Sequence, residues 1–123
     1  MTLNARQLAA VVKAGLIVTN ADGTAKEEEY KIIVNELSSF NVTSEQGHML
    51  IETANGMSVE SMVEILKSLS YDDKKYISGY LVAIIVVDGD VDEDEAKAWQ
   101  AMCSLCEFPQ TTAQDALDYW RKH

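Results

Sequence analysis

The sequence predicts an all-α fold, about seven helices in a compact bundle whose two halves repeat one another with pseudo-twofold symmetry. Three observations predict it: apolar residues at helical spacing, helix-start signals at regular intervals, and one stretch that occurs twice in register. Leu16 to Phe40, LIVTNADGTAKEEEYKIIVNELSSF, lies over Val82 to Cys106, VAIIVVDGDVDEDEAKAWQAMCSLC, at a spacing of 66 residues. Asp22-Gly23 then meets Asp88-Gly89, Glu27 meets Glu93, and Glu29 meets Glu95. Acidic, glycine and apolar positions agree together, which reads as an internal duplication. One pair of copies is too few for a solenoid.

The elements follow in order. The first helix is the apolar N-terminal segment that ends at Asp22-Gly23. Its counterpart, YLVAIIVVDGDV, would alone pass for a β-branched strand entering an Asp-Gly hairpin. The helical composition of its partner, LAAVVKAGLIVTNADG, makes both helices. After each Asp-Gly stands a capping-box signal, Thr24 with Glu27 and Asp90 with Glu93. The helices that follow carry apolar faces through Tyr30, Ile33, Val34 and Leu37, and through Ala96, Trp99, Cys103 and Cys106. Thr43 with Gln46 and Thr111 with Gln114 start two more, at a spacing of 68, so two residues are gained around Pro109. Between the halves Ser58 begins a helix striped by Met62, Ile65, Leu66 and Leu69, and Ser70 caps the long helix running to Val87. Asn55-Gly56 suits a left-handed helix end, and Pro109 stops its helix.

With 123 residues, 47% of them hydrophobic, the chain has the size of one domain. The expected organisation is a single domain over 1–123, with repeats of about 5–55 and 71–121 and a connector of about 58–69. Ten Lys and Arg face twenty Asp and Glu, a formal charge of −10, so a nucleic acid backbone would be repelled over most of the surface. The longest apolar run, Leu81 to Val87, is far short of the roughly 20 residues that cross a bilayer, so no direct membrane insertion is expected. Lys13 splits the apolar N-terminus and no small-residue cleavage site follows, which makes this a first helix and not a signal peptide. A cytoplasmic protein without a disulfide framework is expected.

An Asp in the turn with a Glu seven positions later sets two carboxylates around a helix start, the hard oxygen donors that Ca²⁺, Mg²⁺ or Mn²⁺ take. Acids there also complement the helix dipole with no ion present, at about 0.3 to 1 kcal/mol each. The Asp88, Asp90, Asp92 alternation is no EF-hand, because the sixth and twelfth positions, Glu93 and Trp99, should be glycine and a carboxylate. The first copy, counted from Asn20, has Ala25 and Lys31 there.

The apolar helix, the Asp-Gly turn and the acidic helix start, present twice, resemble the tellurite-resistance TerB-like family and the N-terminal region of some membrane-anchored DnaJ co-chaperones. The resemblance covers most of the chain. It implies a helical domain without catalytic chemistry, divalent-metal binding through the acidic turns, and a place in a membrane-associated stress-response assembly. The implied ligands are Asp22 and Glu29 in the first turn and Asp88 and Glu95 in the second. The first turn departs from the pattern, with Thr24, Ala25 and Lys26 where the second has Asp90, Val91 and Asp92. With so few carboxylates per turn, affinity should be weak, on the order of 10⁻⁴ to 10⁻³ M. The alternative is an interaction module whose acidic surface docks a basic partner, the carboxylates only capping helices.

Cys103 and Cys106 form a CxxC near a helix C-terminus, where the dipole opposes thiolate formation. They stand where the first copy has Leu37 and Phe40, so small buried hydrophobes are expected. Only His48 and His123 could complete a zinc site beyond carboxylates. His48 has no nucleophile beside it and reads as a surface or boundary residue, and Trp99 and Trp120 fall on apolar faces. No phosphate loop, Ser-His-Asp set or nucleophile elbow is present.

Overall fold

The computed structural model describes residues 2–21, 23, 27–87, 89 and 91–123, apart from the Tyr30 side chain. Among them run seven helices and no strand: α1 (Ala5–Thr19), α2 (Glu27–Ser39), α3 (Ser44–Gly56), α4 (Val59–Lys67), α5 (Tyr71–Val86), α6 (Glu93–Leu105) and α7 (Ala113–Lys122).

The two most apolar helices occupy the centre. Ile77 through Ile85 of α5 are buried without a break, and α1 buries Leu8 through Val12 together with Ala14 and Val18. A helix that is apolar all round has no solvent face to keep, so the others pack around this pair. The strand-like composition of α5 is thereby explained: burial on every side, and not sheet pairing, selects its β-branched residues. α1 packs against α2, α3, α4, α5 and α6, while α5 holds α2, α6 and α7.

The spacing of 66 recurs in the backbone. The starts of α1 and α5 and both ends of α2 and α6 stand 66 apart, as do the caps Asn4 and Ser70. Gly23 and Gly89 have φ of +83° and +86°, and each N–H donates to a carbonyl three residues back, Asn20 and Val86, at 3.0 Å. Among the described residues two non-glycines share the left-handed region, Asn41 at φ 60° and Glu107 at φ 55°, again 66 apart.

Three expected helix ends are corrected. The N-cap of α6 is Asp92, whose Oδ1 accepts the Glu95 N–H at 3.0 Å; Glu93 is the first helical residue and not a capping partner. The expected caps Asp90 and Thr24 lie outside the described residues. The cap of α7 is Thr112, accepting from Asp115, and not Thr111. Thr43 and Thr112 stand 69 apart, so three residues are gained between Glu107 and the cap. Gly56 ends α3 without a left-handed residue, because Met57 leaves in extended conformation, ψ 135°, to reach the Ser58 cap of α4. The α1 start was legible in the Asn4/Gln7 spacing: Asn4 accepts the Gln7 N–H at 2.8 Å and donates its own to Gln7 Oε1 at 2.9 Å.

Candidate metal centre

Each acidic helix start divides its glutamates by position. Glu27 and Glu93 stand in solvent, their side chains 80% and 86% exposed, and each meets a lysine one turn on, Lys31 at 3.7 Å and Lys97 at 3.6 Å. Two residues later Glu29 and Glu95 are each only 1% exposed. A step of two along a helix turns the side chain by more than half a circle, from solvent into the bundle. Both belong to the first helical turn, where free N–H groups favour negative charge.

The dipole accounts for Glu27 and Glu93 but not for Glu29. Burying a carboxylate without a compensating partner costs several kcal/mol, against at most about 1 kcal/mol from an ordinary helix terminus. Neither Glu29 oxygen has a hydrogen-bond partner among the described residues, and the buried Thr19 Oγ1, at the end of α1, has none either. The Glu29 carboxyl is chemically suited to a hard cation: oxygen donors, held by a helix start, out of bulk water.

Asp22 and Asp88, the other two expected ligands, lie outside the described residues. Among the described residues no three His, Cys, Asp or Glu side chains gather closely enough to hold an ion. Glu29 and Glu95 therefore do not join other described acids in one shared site.

Elsewhere the chemistry is structural. Cys106 is fully buried and Cys103 half-buried. Burial pushes the Cys106 thiol up to about 11, with Cys103 adding to the rise. Burial also raises Cys103, partly offset by the Ser78 hydroxyl. Thiols held in protonated form are poor nucleophiles, consistent with packing. Trp99 is in the core and donates its indole N–H to Ser78 Oγ at 3.1 Å; Trp120 is partly buried against the core; His48 is exposed. Val34, expected on the apolar face of α2, is instead 44% exposed, and Glu36 takes an inward place at 7%.

The Glu36 pairing was not anticipated. Tyr76 donates its hydroxyl to Glu36 Oε1, and the carboxyl is raised above its usual range chiefly by burial, with Tyr76 and the nearby Trp120 indole opposing the rise. The indole N–H comes near without reaching hydrogen-bond geometry. The available signal was the spacing of Ile33, Glu36 and Leu37, which places Glu36 on the buried stripe.

Seven helices without a strand among the described residues, with buried glutamates in the first turns of α2 and α6, define a small all-α domain. The model of the tellurite resistance protein TerB family matches residues 7–118, and the chain belongs to that family. A crystal structure of a protein of unknown function from Porphyromonas gingivalis W83 is similar, with a TM-score of 0.86 and 26% identity, covering 98% of this chain and 92% of that one. No curated protein matches the sequence. No helix among the described residues is long and apolar enough to cross a membrane.

Proposed function

We propose that this TerB-family domain is a non-enzymatic cytoplasmic module that binds a divalent cation weakly at its Asp-Gly turns, as part of a stress response of the tellurite-resistance kind. Glu29 with Asp22 would hold the ion in the first turn, and Glu95 with Asp88 in the second, backbone carbonyls and water completing the shell. Ca²⁺, Mg²⁺ and Mn²⁺ are the candidate ions. The observation that carries the reading is the Glu29 carboxylate, 1% exposed and without a hydrogen-bond partner among the described residues. The repeated spacing of Gly23 and Gly89 supports extending it to the second turn.

Thermal melts with and without about 1 mM of each ion test it. A site with a Kd near 10⁻⁴ M adds about 1.4 kcal/mol, a shift of several degrees for a domain of this size. The double variant Glu29→Gln, Glu95→Gln should lose that shift. An equal shift in the variant, or none in the wild type, leaves the carboxylates as helix-terminal charges.

A second reading is favoured by the charge of −10: the acidic surface docks a basic protein, in an assembly that could sit beside a membrane. Salt-sensitive capture of a basic partner, unchanged in the double variant, would select it.

A further inference from the structure

Glu36 is a buried carboxyl apart from the acidic turns, and it sits where three helices meet. It lies on the inner side of α2 with the buried Ile33 and Leu37. From α5, Tyr76 donates its hydroxyl to Glu36 Oε1, and the buried Tyr80 lies close enough to feel the Glu36 charge. From α7 comes the Trp120 indole, whose N–H is buried, near Glu36, and without a hydrogen-bond partner among the described residues. No Lys, Arg or His forms an ion pair with Glu36 among the described residues. Burial raises the carboxyl above its usual range, and Tyr76 and the indole oppose the rise.

The repeat shows that packing does not require this arrangement. At the spacings of 66 and 69, Glu36, Tyr76 and Trp120 correspond to Met102, Ala10 and Ile51. Met102 and Ala10 are buried and Ile51 packs against the core, so the other half fills these positions with apolar side chains. A carboxyl and an orphaned donor in their place cost desolvation and add no apolar burial.

We infer that Glu36 and Trp120 form a proton-operated clasp between α2 and α7, closed when the carboxyl is ionised and open when it is protonated. With Tyr76 on Oε1, the proton of the neutral acid goes to Oε2, and an O–H there meets an indole that can only donate. An ionised carboxyl only accepts, and its Oε2 takes the indole N–H in a charge-assisted hydrogen bond. The movement belongs to the side chain. Trp120 Cβ lies 2.6 Å from where a β-carbon on Gly79 would stand, so α7 stays seated on α5 while the indole turns. Tyr76 also lines a cleft of about 350 Å³ between α2, α5 and α7, where Asp72, Asp73, Tyr119 and His123 are the other titratable groups and Lys75 lies over the Tyr119 ring at 4.5 Å.

The test follows both indole N–H resonances and the Glu36 side-chain carboxyl ¹³C resonance of the whole chain between about pH 3 and pH 8. Trp99, whose N–H is bonded to Ser78, is the control. The Trp120 indole proton should move downfield as pH rises, with the same midpoint as the Glu36 carboxyl and above the ordinary 4.5, while Trp99 stays nearly still. Glu36→Gln, which keeps an acceptor for Tyr76, should abolish the movement. Trp120→Phe should raise the Glu36 midpoint further, because the ionised form loses a donor. A Trp120 resonance that does not titrate, or that moves only together with Trp99, would overturn the clasp. So would a titration that persists in Glu36→Gln, which would assign it to Asp72, Asp73 or His123, or a Glu36 midpoint that Trp120→Phe leaves unchanged.

Discussion

Tyr76 of α5 donates its hydroxyl to Glu36 of α2 at 2.5 Å, the one described side-chain hydrogen bond that ties those two helices across 40 positions of sequence. It holds a buried carboxyl whose proton is bound more tightly in the folded state than the ordinary value of 4.5. A raised folded value contributes stability that is fully present below the unfolded value and lost as pH rises through the folded one. Glu36→Gln keeps an acceptor for Tyr76 and removes the titration. Urea melts should find the variant at least as stable as the wild type at pH 7, with the wild type gaining on it as pH falls toward 4.5. A constant difference would place the charge elsewhere.

The crossing of α5 and α7 depends on Gly79. A β-carbon there would come within 2.1 Å of the Ala116 carbonyl oxygen and 2.6 Å of the Trp120 Cβ, and the first is backbone that cannot swing aside. Gly79→Ala should therefore destabilise the fold by roughly 1–3 kcal/mol, although alanine is the better helix former. A neutral or stabilising result in denaturant melts would mean that α7 moves freely off α5.

Ser78 and Trp99 form a buried polar pair where the first half has the apolar Val12 and Ile33. Ser78→Ala leaves the indole N–H without its acceptor and should cost about 1–3 kcal/mol. In a Trp99→Phe background the same change should cost much less, since no donor is orphaned. Equal costs in both backgrounds would show that the hydrogen bond contributes nothing.

Glu29 is a buried side chain whose oxygens have no hydrogen-bond partner among the described residues. Without added metal, Glu29→Gln should melt at or above the wild-type temperature, because a buried amide is cheaper than a buried carboxylate. Exposed Glu27→Gln, which loses only the lysine pair at 3.7 Å, should change stability by less than about 0.5 kcal/mol. A lower metal-free melt for Glu29→Gln would give the carboxylate a structural role.

Much of the fold was legible because its signals are local. Ser58, Ser70 and Thr43 cap the helices they were expected to cap, each accepting an N–H three residues on. The α5 run was ambiguous by composition, and the Asp-Gly register with α1 resolved it. Two of the three corrected helix ends fall where a second acid or hydroxyl stands close by: Asp90 or Asp92, Thr111 or Thr112. Each can cap, and the geometry of the preceding turn decides between them. The division between Glu27 and Glu29 was half legible, since their spacing opposes them on a helix, but which faces inward depends on where α2 meets the bundle. The Glu36–Tyr76 bond joins segments 40 positions apart: the spacing of Ile33, Glu36 and Leu37 marks Glu36 as inward, but local pattern holds no record of its partner.

Glu29 and Glu95 are the proposed ligands, and the direct measurement is the side-chain carboxyl ¹³C resonance of each during Ca²⁺ titration. Both should move in parallel with a midpoint between about 10⁻⁴ and 10⁻³ M, while Glu27 and Glu93 stay nearly still. If Glu29 and Glu95 do not move at about 10 mM Ca²⁺, Mg²⁺ or Mn²⁺, or move only together with every exposed acid, the turns are not metal sites.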